Sequence, residues 1–235
     1  MKAGTLYLIP STLGPGEPST TIPNHVAEIV ERIDDYIVES AGAATRFLGR
    51  LRRRMPAAGF AFQILNKETP PEAAPALLAP LLEGRDVGLL SEAGCPGIAD
   101  PGAQVVRAAH ERGIAVKPLV GPSSILLALM ASGFNGQRFL FHGYLPAERA
   151  GRIAALREIE LDLYARDRTQ VFIEAPHRNQ HLLSDILGNL REMTRLCVAI
   201  DLTLPTELVA SRPIRDWKRE AFEIGKRPAV FLLYR

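Results

Sequence analysis

Residues 91–102 read "SEAGCPGIADPG" and hold three glycines, two prolines, a serine, a cysteine and two acids. Such a segment is poor in side chains and rich in backbone. Gly94 and Gly97 admit backbone amides close to a ligand with no Cβ in the way. Pro96 and Pro101 stiffen the path, which lowers the ordering cost of binding. Ser91 adds one hydroxyl that can donate or accept. Two further segments have the same character: "PSTLGPGEPST" (10–20) and "GPSS" (121–124), the latter with Ser123 and Ser124. Together they suit a polar small molecule read largely by backbone. Ordinary turns are the plainer reading of any one of them.

Other constellations are weaker. "GPGEPS" carries G-x-G-x-x, but a serine replaces the third glycine, and Pro15 and Pro18 remove amides that should face a pyrophosphate. Glu39 can imitate the ribose-binding acid of a dinucleotide site, and no Walker loop is present. His177 and His181 stand at i, i+4, with no adjacent Glu or third ligand, so no metal is expected. "RFLGRLRRR" places Arg46, Arg50, Arg52, Arg53 and Arg54 within nine residues and no acid among them. On a helix Arg46, Arg50 and Arg53 share a face, which suits phosphate contact, a solvated surface being the alternative. Arg54 adjoins this face, and Arg178 beside His177 extends the patch.

These residues need elements to position them. Apolar runs at 5–9, 35–39, 61–65, 86–90 and 114–119 alternate with helical patterns at 24–33, 43–53, 72–83, 101–112 and 123–132. The alternation predicts a parallel sheet with helices on its faces. In such a sheet ligands bind beyond the carboxyl ends of the strands, which is where all three bare loops fall. Asp100 and Pro101 read as the cap and first residue of the helix at 101–112. "GFNGQRF" reads as a linker. A second alternation follows: strands at 139–145, 170–175, 195–200 and 229–234, helices at 148–163 and 178–191. Two α/β domains are expected, 1–136 and 137–235, each with a mixed or mainly parallel sheet flanked by helices.

Composition sets the outer bounds. The chain has 235 residues, 47% of them hydrophobic, enough to bury roughly 70–75% of the unfolded surface without disulfides. A net charge of +2 gives no argument for nucleic acid beyond the local arginines. Cys95 and Cys197 lie far apart with no metal spacing, which fits a reduced compartment. The longest apolar run, "ILLALMA", falls short of the ~18 residues that cross a bilayer. A cytoplasmic protein without membrane attachment is expected.

"LLSEAGCPGIADPG", "VKPLVGPSSILLALMASG", "FHGYLP" and "IEAPHR" follow one another in that order. Together they resemble the tetrapyrrole methylase superfamily of S-adenosylmethionine-dependent methyltransferases, and within it the ribosomal RNA small subunit methyltransferase I branch. The resemblance runs from about residue 5 to about residue 210. It implies S-adenosylmethionine in a cleft between two α/β domains, a homodimer and no metal. Carried over residue by residue, it assigns the cofactor to Pro10 and Ser11, to Ser91, Glu92, Ala93, Gly94 and Ile98, to Gly121, Ser123 and Ser124, and to Phe172, Glu174, Ala175 and Pro176. Three stretches depart from the branch: "ESAGAATR" stands for E-D-T-R with Glu39 kept, "STLGPGEP" for T-P-I-G-N-L, and "KRP" for K-G-E with Lys226 kept.

The resemblance implies methylation of a ribose 2′-hydroxyl in ribosomal RNA. Methyl transfer from a sulfonium needs in-line alignment, and a hydroxyl acceptor gains from a base. Glu39, Glu174 and His177 are the candidates, and Arg46, Arg50, Arg53, Arg54 and Arg178 the RNA contacts. The alternatives are methylation of a small molecule, tetrapyrrole-like or other, and a cofactor-binding protein that has lost catalysis.

Overall fold

The structure is a computed structural model that describes residues 2–52, 56 and 59–235. The chain divides into two units, Met1–Ser123 and Ser124–Arg235.

The first unit is built on β1 (Thr5–Ile9), β2 (Asp35–Val38), β3 (Ala61–Ile64), β4 (Val87–Leu90) and β5 (Ala115–Pro118). They form one all-parallel sheet in the order β3-β2-β4-β1-β5. Successive residues of a strand face opposite sides, and the sequence uses both. Tyr36 and Val38 join Ile9 and Leu90 under α1 (Asn24–Val30) and α2 (Ala41–Leu51). Ile37 joins Leu6, Val87 and Leu89 under α4 (Ala103–Glu111) on the other side. The long helix expected at 72–83 is instead broken into two 3-10 turns, Pro71–Ala73 and Ala76–Leu78, and the short α3 (Ala79–Leu82). Pro70, Pro71, Pro75 and Pro80 each lack an amide donor, which prevents a continuous helix.

The second unit begins with α5 (Ser124–Ser132), ahead of the linker placed at residue 136. This helix is apolar around much of its circumference and packs on strands of the second sheet, which is why it groups with that unit. The sheet contains β6 (Phe139–Tyr144), β7 (Thr169–Ile173), β8 (Arg195–Ile200), β9 (Leu208–Pro213) and β10 (Ala229–Tyr234). Its order is β6-β7-β10-β8-β9; only the β6–β7 pair is parallel, so the sheet is mixed. α6 (Arg149–Arg166), α7 (Asn179–Asn189) and α8 (Ile214–Trp217) enclose a core around Phe172, Phe231, Leu196 and Trp217. Two elements were not read from the sequence, β9 and α8.

Candidate active site

In the first unit, β1 and β4 are neighbours, yet their following helices leave for opposite faces. The two outgoing loops therefore diverge and leave a crevice, the usual ligand position of an open parallel sheet. A two-way backbone bridge ties them: Ser11 N–H donates to Gly94 O (2.9 Å) and Gly94 N–H to Ser11 O (3.2 Å). Ser11 Oγ donates to Ser91 O at 2.8 Å. Gly94 has φ 69°, a left-handed conformation that disfavours any side chain, so the bridge needs glycine there. Cys95 Sγ lies 3.5 Å from Pro122 O, linking this loop to the one after β5. The expected cofactor residues Pro10, Ser11, Ser91, Glu92, Ala93, Gly94, Gly121 and Ser123 thus belong to three adjoining loops of the first unit. Ile98 lies further along the β4 loop and is 52% exposed.

Beside this bridge a pocket of about 260 Å³, counted to its open mouth, is lined by Ser11, Glu39, Ser40, Phe47, Ser91 and Glu92 among others. Its enclosed space is about 20 Å³, room for roughly one water and far below the ~300–1,000 Å³ of a whole-ligand site, so it is a small cleft at the carboxyl group and not a complete ligand pocket. Ser40 caps α2, its Oγ accepting from Ala43 N–H at 3.3 Å, which fixes the chain at Glu39. Glu39 Oε1 and Ser91 Oγ are both buried and complete no hydrogen bond in the protein. Burial, then the charge of Asp100, pushes the Glu39 carboxyl above the ordinary carboxylate range, against a backbone contact from Glu92. Burial likewise raises Asp100; the nearby Ser91 hydroxyl counters this, and the charge of Glu92 adds to it. The Ser91 hydroxyl is thus near enough to favour the Asp100 carboxylate without a completed hydrogen bond.

Asp100 corrects an expectation. It caps no helix: α4 starts at Ala103 behind Gly102, which has φ 146° and no side-chain cap. Ala99 (φ 64°) turns the chain before the helix begins, and Asp100 instead forms an acidic group with Glu39 and Glu92. The alternation of elements gave no signal for this, because a D-P-G segment reads equally as a cap.

The expected residues of the second unit meet different fates. Phe172 is fully buried and stacked on Phe231 at 5.9 Å, so its side chain belongs to the core. Glu174 is buried and held by Arg178 Nη2 at 2.6 Å and by Ala175 N–H at 2.7 Å, leaving Oε2 without a partner. Arg178 is accordingly an internal partner of Glu174. Ala175 precedes a 3-10 turn, Pro176–Arg178, which leaves His177 exposed. Ser124 opens α5.

Of the arginine face expected on α2, Arg50 is committed to the β1 loop. Arg50 hydrogen-bonds Gly16 O and lies 3.6 Å from Glu17, holding the β1 loop. Arg52 is 5% exposed, donates to the carbonyls of Val30, Glu31 and Ile33, and lies over the Phe60 ring. Arg53 and Arg54 lie outside the described residues. Arg46 is exposed. Among the described residues no group of three or more His, Cys, Asp and Glu could hold a metal ion, and no helix is long and apolar enough to cross a membrane.

The family model for tetrapyrrole (corrin/porphyrin) methylases matches residues 14–217, and the chain belongs to that family. It is an S-adenosylmethionine-dependent methyltransferase. Ribosomal RNA small subunit methyltransferase I of Escherichia coli O157:H7 is 35% identical over 222 residues, covering 92% of this chain and 73% of that protein. The protein of the same name from Vibrio cholerae serotype O1 is 32% identical over 235 residues, covering 99% and 77%. The solved structure of the methyltransferase CobJ has the same fold, with a TM-score of 0.64 at 18% identity over 100% of this chain and 95% of that one.

Proposed function

We propose that the chain methylates a hydroxyl of RNA, a ribose 2′-hydroxyl of the small ribosomal subunit, with Glu39 as the base. The carrying observation is the buried, unpartnered Glu39 Oε1 in a pocket beside the bridged loops. The names of the relatives support the RNA class.

The residues present fit S-adenosylmethionine. The loops around Ser11, Gly94 and Gly121 offer bare backbone for its polar groups, and three neighbouring carboxyl groups favour a cation. Bound, this cofactor supplies a methyl group on a sulfonium, which is left with the bonding electron pair when the acceptor oxygen attacks in line. Glu39 accepts the acceptor's hydroxyl proton as that oxygen attacks. A carboxylate held above its ordinary pKa is a stronger base than a free one, and such a positioned group contributes typically 10²–10⁴-fold. Asp100 and Glu92 sustain that basicity by like-charge proximity. Glu174 is bound by Arg178 and serves the backbone of its own turn, so this reading gives the proton to Glu39.

Incubation with methyl-labelled cofactor and small-subunit ribosomal RNA tests this. Label should enter the RNA and block alkaline cleavage at one linkage. Cofactor binding without transfer to RNA would overturn the RNA reading. We also propose a homodimer, resting on the family resemblance; light scattering showing a monomer at micromolar concentration would refute it.

A further inference from the structure

The second sheet ends in a row of arginines. Along the order β6-β7-β10-β8-β9, Arg138 precedes β6, Arg168 precedes β7, Arg235 follows β10, Arg195 opens β8 and Arg212 is the penultimate residue of β9. The registers put them at one edge, since Phe139 pairs with Thr169, Tyr234 with Arg195 and Arg195 with Pro213. Strands lie about 4.8 Å apart, so the row runs about 19 Å. Arg166, at the end of α6, joins it beside an open notch lined by Arg138, Phe139, Arg166, Asp167 and Arg168.

Four of these six arginines pair with three acids. Asp162 takes Arg166 and Arg168, Asp167 takes Arg235, and Glu220 takes Arg212. Among the described residues the guanidinium groups of Arg138 and Arg195 complete no ion pair or hydrogen bond. The remainder is a positive strip with an aromatic ring in it, since Phe139 is 40% exposed. Positive charge along a line with an exposed ring suits a single nucleic-acid strand, whose backbone carries one negative charge per phosphate and whose bases stack on aromatic faces.

We infer that this edge of the second sheet is an RNA-contact surface that holds phosphates of the substrate strand. The inference rests on the RNA reading above and gives it a location in the second unit.

The test is fluorescence anisotropy of a single-stranded RNA oligonucleotide over a salt series, using the full chain. The triple change Arg138→Ala, Arg166→Ala, Arg235→Ala removes three exposed arginines and leaves the Arg168 pair intact. The log–log salt slope should fall by about 0.7 per lost contact, roughly 2 in all. The matching triple change to Lys should keep the slope, and S-adenosylmethionine affinity should be unchanged in both. Wild-type protein that binds RNA with the same slope as the Ala variant overturns this surface and leaves the RNA reading standing. Equal loss in the Lys variant also overturns it, because charge would then not be the cause. Loss of binding to phosphatidylglycerol vesicles with RNA binding intact would reassign the edge to membranes. A wild type with no RNA affinity at 50 mM salt sinks the RNA reading itself.

Discussion

Gly121 and Pro10 are in contact so tight that a Cβ on Gly121 would sit 2.2 Å from both the Cβ and Cγ of the proline ring. The ring cannot swing away, so Gly121→Ala must displace the loop after β5 from the loop after β1. Overpacking of this kind costs typically 1–3 kcal/mol. We expect Gly121→Ala to lower the urea midpoint and to weaken S-adenosylmethionine binding by calorimetry. Gly136→Ala, where a new Cβ meets nothing within 4 Å, is the control and should change neither.

Glu39→Gln separates activity from folding. The amide keeps the shape and loses the base, so turnover should drop about 10²–10⁴-fold, far more than cofactor affinity, which loses only one of three carboxyl groups near the cation. The wild-type rate should also fall as pH is lowered through the raised Glu39 value, above the ordinary carboxylate range. A pH-independent rate across that range would remove Glu39 from the chemistry.

Asp100→Asn tests the acidic group through stability. A carboxyl whose folded pKa is raised favours folding most while protonated, below its unfolded value near 4, and this contribution is lost as pH rises through the folded value. At pH 7 the variant should therefore be the more stable protein, by no more than about 1 kcal/mol after solvent screening. Near pH 4 the two should melt together. A variant less stable at pH 7 would mean that Asp100 has a partner worth more than its burial.

Arg52 and Arg46 share one arginine-rich segment and should behave oppositely. Arg52→Ala strands the carbonyls of Glu31 and Ile33 and uncovers Phe60, so a loss of about 2–4 kcal/mol is expected. Arg46→Ala, on the exposed side of α2, should stay within about 0.5 kcal/mol. Chemical denaturation of the two variants decides it.

The two cysteines offer a check on packing. Cys197 is fully buried in β8, and burial pushes its thiol up to about 12. Cys95 is half-buried, and burial raises its thiol as well. Native protein at pH 8 should therefore label slowly at Cys95 and not at Cys197 until it unfolds.

The alternation of apolar runs made most strands legible, because parallel strands buried on both faces are continuous in the sequence. It failed where the pattern carries no period. β9 reads "LVASRP", with Ser, Arg and Pro on an edge strand, and only its pairing with β8 makes it a strand. α5 is apolar on too many sides to reveal which sheet it covers. The bare loops were visible as composition, and Glu39 as a strand end. Asp100 was hidden, since its role depends on the left-handed turn at Ala99 and not on residue type. The arginine at the end of every strand of the second sheet was also invisible, since those residues are scattered over almost a hundred positions and only strand order lines them up.

That strand order has a consequence for synthesis. β10 is the last strand in the chain and the central one in its sheet, between β7 and β8. All five strands of the first unit are present by Pro118, whereas the second sheet stays split into two unjoined pairs until Tyr234 has been made. From Ile200, where β8 is complete, to Tyr234 is 34 residues, which at about 5–20 residues per second takes on the order of 2–7 s. During that time β7 and β8 each present an unpaired edge to other chains, so the nascent second unit is where chaperone dependence and aggregation should concentrate.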